Sequence, residues 1–174
     1  MNVEQFVKSF VIPLEEYPHI QEDQSIAKAI EQILLYKSGA KDQLLQFSEL
    51  FVFNRDGQVV GKITLSDILT ALEPKLLKKD KKPVFEGAEM DAANLAILWE
   101  DSFFKHCREH QAKIVKEFMS PIKSVISGSD PVLKALYIML HSGEQSLPVL
   151  EDGKIVGVLR IEELFTITCG LCEI

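Results

Sequence analysis

Apolar positions at helical spacing over Ile26, Ala29, Ile30, Ile33 and Leu34 predict an amphipathic helix that opens after Gln24 or Ser25. The same spacing returns over Val132, Ala135, Leu136, Met139 and Leu140, behind Asp130-Pro131, an acceptor cap with proline in the first turn. A short extended stretch precedes each helix, at His19–Gln21 and at Ser124–Ile126. A strand follows each, at Leu50–Phe53 and at Leu147–Leu150. Arg55-Asp56-Gly57 and Glu151-Asp152-Gly153 then read as tight hairpin turns, since Asp-Gly supplies positive φ. Second strands at Val59–Ile63 and Ile155–Leu159 lead straight into helices at Asp67–Leu72 and Glu162–Ile167. The unit is strand, helix, hairpin, helix, and it occurs twice.

Two landmarks confirm the duplication at the level of residues. VKSFVIP at 7–13 returns as VKEFMSP at 115–121, and DGQVVG at 56–61 returns as DGKIVG at 152–157. Two copies in one order constrain a supersecondary unit far more than a single motif does. The first copy is the longer, and its surplus falls around Ala40–Phe47, read as a loop or an extra helical turn. Between the copies, LLKKDKKP at 76–83 reads as a solvated basic connector. From Met90 to about Glu117 a long helix is expected, because Leu95, Leu98, Trp99, Phe103, His106, Cys107, His110 and Ile114 keep one stripe. That stripe must bury against the repeats or against a second chain. The expected organisation is a first repeat at 1–73, a joining segment with the helix at 74–114, and a second repeat at 115–174.

Composition changes this picture little. The chain has 174 residues, 47% hydrophobic and 26% charged, enough for a real interior. A net charge of −7 argues against nucleic acid as the main partner. No stretch reads as a signal peptide or a membrane span, so the expectation is a cytoplasmic protein with no membrane partner. Cys107, Cys169 and Cys172 make no disulfide framework. Cys169 and Cys172 straddle Gly170, which reads as a helix stop, and no second ligand pair at zinc spacing accompanies them. His106, Cys107 and His110 share a helix face, yet interface packing explains them better than a metal does, and no metal site is expected. No catalytic constellation is visible, so the chain is not read as an enzyme.

Tandem copies ending in D-G-x-[VI]-V-G and a helix resemble a pair of CBS domains, often called a Bateman module. The resemblance covers roughly 7–72 and 115–168. It implies an α/β fold of two β-α-β-β-α repeats, packed about a pseudo-two-fold axis, joined here by the long helix. It also implies clefts between the repeats that take adenosine nucleotides, and a homodimer. Gly61-Lys62-Ile63-Thr64-Leu65-Ser66-Asp67 fits the family's G-x-x-[ST]-x-x-D signature.

The chemistry of that segment is readable in its own right. Ionised Asp67 offers two acceptor oxygens to a ribose diol. Thr64 and Ser66 add hydroxyls where a strand gives way to a helix whose first N–H groups favour a phosphate. Gly61 permits a close backbone approach. Ile20 and Phe53 are expected to wall an adenine. T-x-x-D before an apolar run is equally a capping box, and both readings stay open.

The second copy departs from the signature. Arg160 stands at the hydroxyl position and Glu163 at the carboxylate position, in a segment opened by Gly157. The two side chains can pair with each other. Alternatively, Arg160 reaches a nucleotide phosphate with its planar fork. Gly157 and Glu163 therefore mark a doubtful second site. The sequence points to a regulatory module that binds an adenine nucleotide, needs no cofactor, and signals to a separate, unidentified protein. The alternative is a ligand-free interaction module with degenerate clefts.

Overall fold

The computed structural model describes residues 5–38, 44–74 and 100–171. The basic connector at 76–83, the proposed helix start from Met90 to Trp99, and Cys172 lie outside the described residues. The chain forms two compact units, His19–Ser120 and a second made of residues 1–18 with 121–174.

In the first of these, β2 (His19–Gln21) runs parallel to β5 (Glu49–Phe53), which pairs antiparallel with β6 (Val59–Thr64). Helices α1 (Ile26–Leu34) and α2 (Leu65–Leu72) cover one face. Ile26, Leu50, Ile63 and Ala71 are completely buried there. Where the first copy is longer, β3 (Lys37–Ser38) pairs antiparallel with β4 (Leu44–Leu45), and residues 39–43 between them lie outside the described residues. The hairpin turn reaches positive φ only at Gly57, while Asn54 Oδ1 accepts from the Asp56 and Gln58 N–H groups.

The α1 amino end is satisfied from two sides. Ser25 Oγ accepts from the Lys28 N–H at 3.2 Å, as an N-cap should. The Ile26 and Ala27 N–H groups donate to the carbonyls of Lys113 and Gln111. This explains a departure from expectation. The joining helix, α3 (Glu100–His110), stops at His110 and does not reach Glu117; residues 115–117 are a separate 3-10 turn. The apolar stripe continues, but the chain leaves the helix and turns its carbonyls to α1. Within the described residues, the helix meets α2. His106 Nδ1 lies 2.6 Å from Glu73 Oε2, His110 Nδ1 lies 2.8 Å from the Leu72 carbonyl, and Lys113 Nζ donates to the Ala71 carbonyl. Three side chains thus meet the carboxyl end of α2, where basic groups are favoured.

The second unit holds a sheet in the order β1-β9-β8-β7. Here β7 is Ile126–Ser127, β8 is Ser146–Glu151, β9 is Lys154–Arg160, and β1 is Ile12–Pro13. Helices α4 (Val132–Ser142) and α5 (Ile161–Leu171) complete the β-α-β-β-α order. Asp152 and Gly153 both have positive φ, as an Asp-Gly hairpin requires. Asp130 does not cap α4. Pro131 occupies the N-cap position, and Asp130 instead accepts from the Ser127 N–H and from Lys134. Nor does Gly170 stop α5, which runs through it to Leu171 and carries Cys169 in its last turn.

The repeated landmarks pack crosswise. Val7, in the first motif, is fully buried with Ile126, Leu147 and Leu159 of the second copy. Val115, in the second motif, is fully buried with Ile26 and Leu50 of the first. Each motif then lends backbone to the strand beside it. Ile12 and Pro13 pair with Val158 and Gly157, while Lys62 and Ser120 exchange both N–H···O bonds at 2.9 and 2.8 Å. The equivalent glycines make room for this: a Cβ on Gly61 would sit 2.7 Å from the Ser120 carbonyl oxygen, and one on Gly157 would strike the Ile12 carbonyl. The close backbone approach expected at Gly61 is therefore made by the chain itself. Gly61→Ala is expected to destabilise the protein by about 1–3 kcal/mol through overpacking against backbone, measured by denaturant unfolding. An unchanged midpoint would show that Ser120 yields freely.

Candidate functional site

The turn from β6 into α2 places Thr64 as N-cap and Asp67 as the third helical residue. The Thr64 N–H and hydroxyl donate to the same carboxylate oxygen, Asp67 Oδ2, at 2.9 and 2.8 Å. In return the Asp67 N–H donates to Thr64 Oγ1 at 3.1 Å. The capping box is complete, so that reading of T-x-x-D holds. It engages one carboxylate oxygen only. Among the described residues, Asp67 Oδ1 accepts no hydrogen bond, and half-buried Asp67 keeps a free acceptor at the helix mouth.

The first-turn amides are mostly used. Leu65 N–H goes to the Ser48 carbonyl at 3.0 Å and Asp67 N–H to Thr64, which leaves Ser66 N–H with no acceptor within the helix. The Ser66 side chain is exposed. Ile20 and Phe53 do not face one another. Ile20 pairs in register with Val52 and is buried in the core on the helix side, 3% exposed. Phe53 lies opposite Gln21, and its ring meets the edge of His19 at 5.6 Å. Side chains alternate across a strand, so Ile20 and Phe53 occupy opposite faces and cannot wall one base together.

Sequence reasoning overlooked a charged pair beside Thr64. Glu49 stands directly across from Thr64, and its Oε2 lies 3.5 Å from Lys62 Nζ. The signal was present in the repeats: the corresponding residues of the second copy, Ser146 and Val158, carry no charge.

In the second copy, Arg160 and Glu163 hold each other. Arg160 Nε donates to Glu163 Oε2 at 2.9 Å, and a second short bond joins Nη2 to Oε1. The Glu163 hydrogen bond raises the Arg160 pKa above its ordinary value, against the opposing effect of burial. The paired reading of these residues is the one the geometry supports. A cavity of about 570 Å³ lies alongside α5, with Phe10 and Ile167 on its apolar side and Glu162, Glu163 and Thr166 on its polar side. All of its lining residues belong to the second unit, and the N-terminal segment contributes Gln5 and Phe10.

On α3, His106 and His110 stack with ring centroids 5.6 Å apart, and burial followed by the Glu73 charge raises the Cys107 pKa. No group of three potential metal ligands occurs among the described residues. No helix among them is long and apolar enough to cross a membrane.

The two β-α-β-β-α copies, each with its glycine-ended hairpin and strand-to-helix turn, define a tandem α/β module. A family profile described as the CBS domain matches residues 7–74 and 115–168. The chain belongs to the CBS-domain family. Among solved structures, it is similar to a CBS-pair protein, CBSX2 from Arabidopsis thaliana. Identity is 17%, coverage 99% of each chain, and the TM-score 0.63. A structure of CBSX2 in complex with AMP matches at 18% identity, covering 96% of this chain and 98% of that one, with a TM-score of 0.60. The cytosolic domain of the Mg2+ channel MgtE in complex with ATP matches at 14% identity and a TM-score of 0.59, over 94% of this chain and 49% of that one. A comparison with curated proteins gives no match.

Proposed function

We propose that this chain is a regulatory CBS module that binds an adenine nucleotide at the Thr64–Asp67 turn of its first repeat and passes the bound state to a separate protein. The observation that carries the reading is the Asp67 carboxylate. Its Oδ2 is fixed by the capping box, and its Oδ1 stays open beside a helix N-terminus. A carboxylate oriented in this way suits a ribose hydroxyl, which is a donor. Two structural neighbours, described with AMP and with ATP, make adenine nucleotides the first ligands to test. The Arg160–Glu163 pair supports one nucleotide per chain, because both groups at the equivalent turn already satisfy each other.

A second reading, a ligand-free interaction module, is favoured by the same self-satisfied contacts at both turns. Thermal unfolding with AMP, ADP or ATP separates the two. Ligand at about 100 times its dissociation constant adds roughly 2.7 kcal/mol of stability. A rise in melting temperature with an adenine nucleotide, and none with inorganic phosphate alone, is the expected result. No rise with any of the three favours the interaction module.

A further inference from the structure

Glu49, Lys62 and Thr64 share the face of the β5–β6 pair that turns away from Ile63 and the helices, since Glu49 stands across from Thr64 and Lys62 lies two residues before it. Lys62 Nζ and Glu49 Oε2 are 3.5 Å apart, with side chains 12% and 6% exposed. Three observations make this pair more than packing. Removing two charges from water offsets most of their attraction, so a buried pair is a poor source of stability where apolar side chains fit. The second copy, with Val158 and Ser146 at these positions, does without it. The charged pair thus occurs in the copy that keeps Thr64 and Asp67 and not in the copy that carries Arg160 and Glu163.

The separation also exceeds the roughly 2.7–2.9 Å of a tight charge-assisted hydrogen bond. Meanwhile the helix mouth has little left for an anion. Thr64 Oγ1 and the Asp67 and Leu65 amides are already engaged. A phosphate there needs positive charge from elsewhere, and Lys62 brings a charged donor to the same strand face.

We propose that Lys62 is the phosphate-binding group of this site, with Glu49 as the counter-ion that phosphate displaces, so that the site selects phosphorylated adenosine over adenosine itself. The inference rests on the adenine-nucleotide reading above. Titration calorimetry of the full chain with AMP and with adenosine tests it. A hydrogen-bonded charge contributes enough that the wild type binds AMP roughly ten- to hundredfold more tightly than adenosine. Lys62→Met removes that preference, so that AMP binds no more tightly than adenosine. Because this variant strands a buried carboxylate, the double variant Glu49→Gln with Lys62→Met is measured beside it and shows the same loss in a folded protein. Glu49→Gln alone tightens AMP severalfold by removing the competing anion. A preference for AMP that survives in the double variant overturns the role of Lys62 and leaves the nucleotide reading standing. A wild type that binds neither ligand overturns both.

Discussion

Asp67→Asn is expected to abolish nucleotide-induced stabilisation while leaving the ligand-free protein nearly as stable as the wild type. The asparagine carbonyl can still accept from the Thr64 N–H and keep the cap, but the second acceptor becomes a donor and opposes a ribose hydroxyl. With about 2.7 kcal/mol of ligand stabilisation at stake, the wild-type shift is roughly 5–10 °C and the variant's is near zero. Asp67→Ala makes a useful contrast. It loses the cap as well, so the ligand-free protein itself drops by about 1 kcal/mol. If Asp67→Asn binds as tightly as the wild type, the carboxylate serves the helix alone.

The second large effect concerns the crosswise packing. Val7→Ala is expected to cost about 1–3 kcal/mol, because it leaves a void beside Ile126, Leu147 and Leu159. The loss should be read out in the wrong place by sequence order. Hydrogen exchange should quicken in β8 and β9 of the second copy before it quickens in β5 and β6 of the first. Val115→Ala should give the mirror result, since Val115 belongs to the core of Leu50 and Ile63. Equal loosening of both sheets by either variant would contradict the two separate cores.

Much of this was legible in the sequence because short-range signals govern it. The helix stripe from Ile26, the Ser25 cap and the Asp152-Gly153 hairpin each depend on residues within one or two turns. The T-x-x-D spacing foretold the capping box for the same reason. Where partners lie far apart in the chain, the pattern fell silent. Nothing local to VKSFVIP says that Val7 packs on the later copy. The stripe from Phe103 to Ile114 keeps helical spacing, yet the need of α1 for acceptors ends the helix at His110. Ile20 and Phe53 share apolar character, but the strand register separates them by face. Lys62 and Glu49 were hidden because cross-strand pairing brings them together only once the hairpin register is fixed.

The central claim, an adenine nucleotide held at the β6–α2 turn, is tested most directly by amide chemical-shift mapping during an AMP titration. The account predicts saturable shifts centred on Gly61–Ile68, with Asp67 among the largest. No saturable change, or shifts confined to the Arg160–Leu164 turn of the second copy, would contradict it.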